Sequence, residues 1–334
     1  MKKYTVCFFL RKANFGENFS LEKYFNELIK NHYNSKFIFK LKICPVLSKG
    51  IFRRLYLVLW AYFSQGDINH VCGDINFLSI LLKKKITILT IHDNYSMIRL
   101  SGIKKILYYV FWLKLALYRC KKVVAVSDKT KEEILSFFPE YEKKIIVIDN
   151  CIQSIFKKKI KKFDNKHKKI LIIGTSINKN FYNSILAISK IDCEVIIVGI
   201  LDNQKKIFLN KLNIKYTNYF NLTDFEVYKI YCQSDLLLFA SLYEGFGMPI
   251  LESQATGRPV ITSDMQPFLY VAGKGAIYVN PYSVSSIRSA VKKIISNNKF
   301  RKKLINYGFK NTERFKVRCI LKKHYDCYEE LIKD

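Results

Sequence analysis

The chain has 334 residues, about two domains' worth by length, and 49% of them are apolar, ample for buried cores. Its 57 Lys/Arg against 27 Asp/Glu give a formal charge of +30, which points to polyanionic partners: nucleic acid, acidic lipid head groups or phosphorylated substrates. Residues 1–150 carry 26 basic and 12 acidic residues and 151–334 carry 31 and 15, which excludes a single basic tail, and no apolar run of about 18 residues occurs to span a membrane.

Met1-Lys2-Lys3 precedes a short apolar run, Tyr4 to Leu10, that meets Arg11-Lys12 with no small-residue cleavage site. The run reads as a first strand, not a signal peptide. A polar loop follows, in which Phe15-Gly16 holds the sole glycine, and Ser20 reads as the N-cap of a helix from about Leu21 to Lys30. Phe37 to Cys44 is a second strand. Leu55 to Phe63, behind Arg53-Arg54, reads as an ordinary buried helix. Asp67 to Asp74 reads as a short strand and glycine turn, with His70 taken as structural. Ile86 to Ile91 is a buried strand ending in His92-Asp93, and a residue at that end of a parallel strand faces a ligand crevice. For His92 by itself, capping a turn and serving a site weigh equally. Ile106 to Tyr118, rich in aromatics and flanked by Lys104-Lys105 and Arg119, reads equally as a buried helix or as one lying on an anionic membrane face. Lys121 to Val126 and Ile145 to Ile148 are strands, with Ser127 capping the helix between them.

Residues 157–169 hold eight lysines and almost nothing apolar, so they read as a solvated linker between a domain of residues 1–156 and a second of 170–316. The second opens with strand Ile170–Ile173, then the turn Gly174-Thr-Ser-Ile-Asn-Lys179-Asn180 and a helix from about Phe181. Val195 to Gly199 is a strand, and helices are expected at 204–212, 223–233, 283–297, 300–312 and 317–332. The nine cysteines form no C-x-x-C pair and are odd in number, so they read as free, mostly buried thiols of a cytoplasmic protein.

The most informative stretch is Leu236 to Ser263, LLLFASLYEGFGMPILESQATGRPVITS. It reads as strand, glycine turn, helix and strand. Pro249 suits the first helical position and Gly257 the stop. Glu244 falls in the turn and Glu252 in the first helical turn. A helix start offers backbone N–H groups to a phosphate, whereas two carboxylates would repel a bare one. A ligand bearing both phosphate and hydroxyls, a sugar nucleotide, satisfies both.

Glu244-Gly-Phe-Gly-Met-Pro249 with Glu252 and Gly257-Arg-Pro-Val260 resembles the E-x7-E signature of retaining GT-B glycosyltransferases, in particular family 4 (glycosyl transferases group 1). The likeness extends to the RKANFGENFSLEKYF opening, the 67–74 segment, the Val126-Ser127 helix start and the Gly174-Thr175…Lys179-Asn180 loop. Cys151 and Tyr270 depart from the family pattern. The resemblance implies an α/β GT-B fold of two doubly wound, Rossmann-like domains facing across a cleft, with a C-terminal helix of about 317–334 packing back on the first. It implies transfer of a hexose from a nucleoside diphosphate sugar to a carbohydrate or lipid-linked acceptor hydroxyl with retained configuration, in surface polysaccharide or glycolipid synthesis. The first domain would bind acceptor and the second donor. Lys179 and the Gly174 turn would meet the diphosphate, Glu252 the ribose, and Glu244 with the amides of Phe246, Gly247 and Met248 the donor sugar. His92 would steady the developing positive charge. No Asp-x-Asp pair or Cys/His cluster appears, so no metal or further cofactor is expected. The expected location is the cytoplasm, peripheral on an anionic inner membrane face. Two alternatives stand beside this: a nucleotide-sugar epimerase of the same architecture, and a basic protein binding membrane or nucleic acid. No helix-turn-helix, RNP-type motif or zinc spacing supports nucleic acid.

Overall fold

A computed structural model describes residues 2–12 and 20–333; the Phe15-Gly16 loop and the Ser20 side chain lie outside the described residues. The chain divides into two compact units. One comprises residues up to Gln153 together with Val317 onward, and the other runs from Ser154 to Lys316.

The first unit is built on six parallel strands, β1 (Tyr4–Leu10), β2 (Phe37–Ile43), β3 (Ile68–Cys72), β4 (Thr87–Ile91), β5 (Lys122–Ala125) and β6 (Ile145–Val147). Their order is β2-β1-β3-β4-β5-β6. Alternate side chains of β1 feed two cores: Cys7 and Phe9 one face, Val6, Phe8 and Leu10 the other. That double burial is why β1, β3 and β4 read as unbroken apolar runs. The Val317–Lys333 helix covers the second face with Ile320, Leu321, Tyr325, Tyr328 and Leu331.

The Ile51–Phe63 helix corrects the expectation of an ordinary buried one. It buries only Leu57, Val58 and Ala61 and leaves Ile51, Phe52, Leu55, Tyr56, Leu59, Tyr62 and Phe63 exposed. Apolar residues occupy nearly all its positions, so whichever side meets the sheet, an apolar stripe is left over. The 106–118 region lies on a run of helical turns, Gly102–Leu107, Tyr108–Lys114 and Leu115–Arg119, the middle one wider than an α-helix. Leu113, Ala116 and Leu117 enter the core while Ile106, Leu107, Phe111 and Tyr118 stay exposed. Among the described residues no helix is long and apolar enough to cross a membrane.

The second unit carries β7 (Lys169–Ile173), β8 (Glu194–Val198), β9 (Tyr216–Tyr219), β10 (Leu236–Phe239), β11 (Val260–Ser263) and β12 (Ala276–Val279). All are parallel, in the order β12-β11-β10-β7-β8-β9. From β7 the chain winds outward through β8 and β9, then returns to β10 on the other side and winds outward again. The direction therefore reverses between β7 and β10, and a crevice forms there at the strand ends.

The lysine-rich segment is not a solvated hinge; it is strapped to the second unit. Buried Asp235 binds Lys161 and accepts from the backbone of Asp164 (3.1 Å) and Lys169 (2.9 Å). Buried Arg258 donates to the carbonyls of Lys159 (2.8 Å) and Tyr231 (2.9 Å). Phe163 packs on the core. The lysines project from a backbone that two buried charges hold in place.

Candidate functional site

Two loops meet where the second sheet reverses direction. The first leaves β7 through Gly174, whose φ of +88° suits glycine. A Cβ there would lie 2.7 Å from Lys179 Cγ, so the lysine's stem crosses the space that a side chain would fill. Asn180 adopts a left-handed φ of 55°. Its amide donates to the carbonyls of Ala240 (2.9 Å) and Pro281 (2.6 Å), past the ends of β10 and β12. Asn178 accepts from the Leu242 amide (2.7 Å) and donates to the Tyr243 carbonyl (3.1 Å). These asparagines fasten the β7 loop to the β10 loop, so the lysine is held against Glu244.

Lys179 Nζ lies 2.5 Å from Glu244 Oε1 and 4.9 Å above the Phe239 ring. Lys179 is 19% and Glu244 16% exposed, so both are largely shielded yet open to a ligand. The turn then passes through buried Phe246, edge-on to Phe315 at 5.8 Å, and Gly247, with φ +113°. The Met248–Thr256 helix starts there. The first few N–H groups of any helix lack partners within it, and these are the amides at the crevice. Pro249 is the second helical residue and Glu252 the fifth, each one step later than expected because Met248 already belongs to the helix.

Glu252 Oε2 accepts a 2.8 Å bond from the hydroxyl of Tyr231, which reaches in from the Asp224–Gln233 helix and also touches the Pro249 carbonyl at 3.2 Å. Burial first, and then the Glu252 charge, push the Tyr231 phenol well above its usual range, so it stays a donor. Gly257 closes the helix at φ +79°, with the Arg258 amide bonded to the Ser253 carbonyl at 2.8 Å.

Gly174, Lys179, Glu244, Phe246, Gly247, Met248 and Glu252 thus all lie in the second unit, on the β7 loop or on the β10 turn and the helix it starts. His92 belongs to the first unit, one residue past β4. Its Nε2 is buried without a hydrogen-bond partner. Burial, with Arg11 adding a smaller push, lowers it to about 3, so the ring is neutral. His70 proves structural, bonded to Tyr328 Oη (2.8 Å) and Thr90 Oγ1 (2.7 Å). Sequence reasoning gave no role to Tyr231, Asn178 or Asn180, though it quoted the last two within the β7 loop. An asparagine directly after a lysine at a loop-to-helix junction was the available signal for Asn180, because asparagine tolerates the left-handed region. For Tyr231 no local signal exists. Among the described residues no group of three or more His, Cys, Asp or Glu is placed to hold a metal.

Residues 153–311 match the family described as Glycosyl transferases group 1. The chain is 29% identical over 278 residues to the O-antigen chain mannosyltransferase RfbU of Salmonella typhimurium, covering 78% of this chain and 75% of that protein. It is 22% identical to the capsular polysaccharide biosynthesis glycosyltransferase CapM of Staphylococcus aureus, over 71% and 69% of the two. In fold it is similar to Anabaena HepE, solved with UDP and glucose (TM-score 0.80, 13% identity, 98% of this chain and 100% of the other). It is also similar to WaaG, a glycosyltransferase of lipopolysaccharide biosynthesis (TM-score 0.72, 15% identity, 97% and 99%). These relatives lend no support to the epimerase or surface-binding alternatives. With a sheet that reverses at β7 and β10, the basic and acidic groups gathered there and these likenesses, the chain is a glycosyltransferase of GT-B fold, similar over residues 153–311 to the glycosyl transferases group 1.

Proposed function

We propose that the chain is a retaining, metal-independent hexosyltransferase of family 4 that uses a nucleoside diphosphate sugar and needs no other cofactor. The observation that carries this is the Lys179–Glu244 pair beside the Met248 helix start. A cation and a ring of amides suit a diphosphate, and a carboxylate suits sugar hydroxyls. In this reading Lys179 and the Gly174 turn take the charge of the departing diphosphate, the electrostatic contribution that usually dominates such catalysis. Glu244 and the amides of Phe246, Gly247 and Met248 hold the sugar. Glu252, aimed by Tyr231, accepts from the ribose. Neutral His92 offers a lone pair or an N–H to the reacting sugar without adding charge. No side chain is a nucleophile; the leaving phosphate takes the acceptor's proton on the face from which it departs.

The acceptor is a carbohydrate or a lipid-linked saccharide, and the product belongs to surface polysaccharide or lipopolysaccharide synthesis. The named activities of RfbU and CapM support this. The enzyme works in the cytoplasm, peripheral on an anionic membrane. Support for that is the exposed stripe of the Ile51–Phe63 helix, with Phe52 84% exposed and Phe63 82%, flanked by exposed Lys49 and Arg53. Nucleic acid is not a partner in this reading.

A thermal-shift panel of UDP, GDP, ADP, TDP and CDP, with and without magnesium, tests the donor site. A ligand at 100 times its dissociation constant adds about 2.7 kcal/mol. One nucleotide should stabilise the protein, equally in EDTA, and lose its effect in Glu252→Ala. Indifference to all five removes the donor reading. NMR of the product's anomeric proton decides retention. Flotation with phosphatidylglycerol vesicles, compared with Phe52→Glu, decides membrane attachment.

A further inference from the structure

The first sheet also reverses direction, between β1 and β3. A cavity of about 340 Å³ opens there, past the ends of β1, β3 and β4. Arg11 on its wall is already matched, bound to Glu22 (2.8 Å) and Asp74 (3.0 Å). Asp93 receives the Tyr95 amide at 3.0 Å. Three further cations line the same cavity with no carboxylate partner among the described residues. Among the described residues Lys12 donates to the Pro45 carbonyl, at 3.1 Å, and Lys49 has no side-chain bond to any of them. Arg54 reaches the Ser48 carbonyl at 3.4 Å, its guanidinium lies 4.6 Å over the Trp112 ring, and its Nε is buried and unpartnered.

Lys49 and Arg54, which both line the cavity, bracket Gly50 (φ +78°), the cap of the thirteen-residue Ile51–Phe63 helix. Lys12 and Lys49 are exposed, whereas the buried Arg54 Nε lacks an acceptor, which is costly unless a ligand completes it. Here a planar guanidinium and two ammonium groups line one cavity, a donor set that suits phosphate oxygens. The unpartnered His92 Nε2 belongs to a residue lining the same wall.

We propose that this cavity binds a phosphate or diphosphate carried by the sugar acceptor, held by Lys12, Lys49 and Arg54. The inference rests on the reading of the chain as a sugar transferase whose donor occupies the second unit. It narrows the acceptor class: the acceptor is an anion, not a neutral saccharide. Its source is either a soluble sugar phosphate or a lipid-linked diphosphate.

Both tryptophans of the chain, Trp60 and Trp112, lie in the first unit, so tryptophan emission reports on this cavity and not on the donor pocket. Inorganic pyrophosphate, titrated into the full chain at low salt, should give a saturable change. Lys49→Glu, a substitution at an exposed position with no side-chain bond to lose, should weaken it at least tenfold, and Arg54→Gln likewise. Lys179→Met and the charge reversal Lys302→Glu, both in the other unit, should leave it within twofold. No saturable change, or equal affinity in Lys49→Glu and Arg54→Gln, overturns the proposal. Glucose 1-phosphate and farnesyl diphosphate then separate the sources: whichever binds at least tenfold tighter than pyrophosphate identifies a soluble or a lipid-linked acceptor. If neither exceeds pyrophosphate, the acceptor assignment falls. Failure of nucleotide binding in the thermal-shift panel would sink the donor reading while leaving this signal untouched, so the two failures are distinguishable.

Discussion

Lys179 Nζ sits 2.5 Å from Glu244 Oε1, so these two charged groups at the crevice between β7 and β10 neutralise each other. In the proposed reading an arriving diphosphate competes for the lysine and the sugar that follows takes the released glutamate, so that the pair would couple donor entry to freeing of the carboxylate. Glu244→Gln removes the competitor but not the lysine. The affinity for a bare nucleoside diphosphate should rise severalfold while turnover falls on the order of a hundredfold, the scale of losing one preorganised contact. Lys179→Met should weaken both. Isothermal titration beside initial rates checks this. Weaker nucleotide binding in Glu244→Gln would show that the pair supports the site and does not gate it.

Gly174 is where the lysine's path can be blocked without touching its charge. A methyl group there would meet three carbons of the Lys179 stem within 2.9 Å, on a backbone at φ +88°. Gly174→Ala should cost about 1–2 kcal/mol of stability through the left-handed backbone and the clash. It should also raise the nucleoside diphosphate dissociation constant at least tenfold. Gly50→Ala, at φ +78° but with open space around it, is the matched control: similar strain, unchanged nucleotide binding. Equal nucleotide affinity in Gly174→Ala would mean the lysine's position is not set by that turn.

What the sequence revealed of this site follows from how local each feature is. The strand, Gly247 turn, Met248–Thr256 helix and β11 are specified by neighbours within a few residues, and the residues quoted for them fall where expected apart from the single step in helix start. β9 and β12 escaped notice. Each is four residues at a sheet edge; YTNY lacks the apolar run of a central strand, and AIYV is apolar but too short to mark a strand by itself. Tyr231 escaped for another reason: its bond to Glu252 spans 21 residues and depends on how two helices pack. The lysine-rich segment misled because composition reports solvation of side chains, whereas its backbone is fixed by Asp235 and Arg258, buried charges far along the chain. The cavity's Arg54 read as a mere helix flank, and Lys49 drew no reading, until the topology set them on one cavity with Arg11 and His92.

Tyr231→Phe isolates the positioning of Glu252. The phenol is fully buried and its hydroxyl bonds both the Glu252 carboxylate and the Pro249 carbonyl. Removing it should cost about 1–2 kcal/mol of stability, the usual effect of leaving a buried acceptor unmade. Because Tyr231 touches no substrate in this reading, its loss should appear in KM for the donor, raised about three- to tenfold, with kcat changed less than twofold. Glu252→Ala should abolish turnover with the fold intact. A fall in kcat alone in Tyr231→Phe would contradict a role in orienting the ribose contact.

The first unit should be the acid-labile one. His70 and His324 are buried to within 1%. His324 bonds Tyr24 Oη at 2.9 Å and is lowered to about 3 by burial, with a smaller push from Lys323. His70 is lowered well below its usual range by burial, then by His324 and His92. In the unfolded chain each takes a proton near pH 6.5; in the folded chain neither does until far lower. The unfolded state thus binds more protons between those limits, and stability rises with pH there. Their contribution is complete above about pH 6.5 and is lost as pH falls toward 3, by up to about 1.4 kcal/mol per pH unit for each histidine. Between pH 6.5 and 5 ordinary carboxylates remain ionised, so the slope in that window belongs to the histidines. Urea melts at pH 7.5, 6.5, 5.8 and 5 should show a plateau followed by a decline. His324→Gln should be less stable at pH 7.5 but decline less steeply below 6.5. A mutant slope as steep as the wild type's would mean His324 titrates in the folded protein, and the buried neutral network joining Tyr24, His324 and His70 would have to be redrawn.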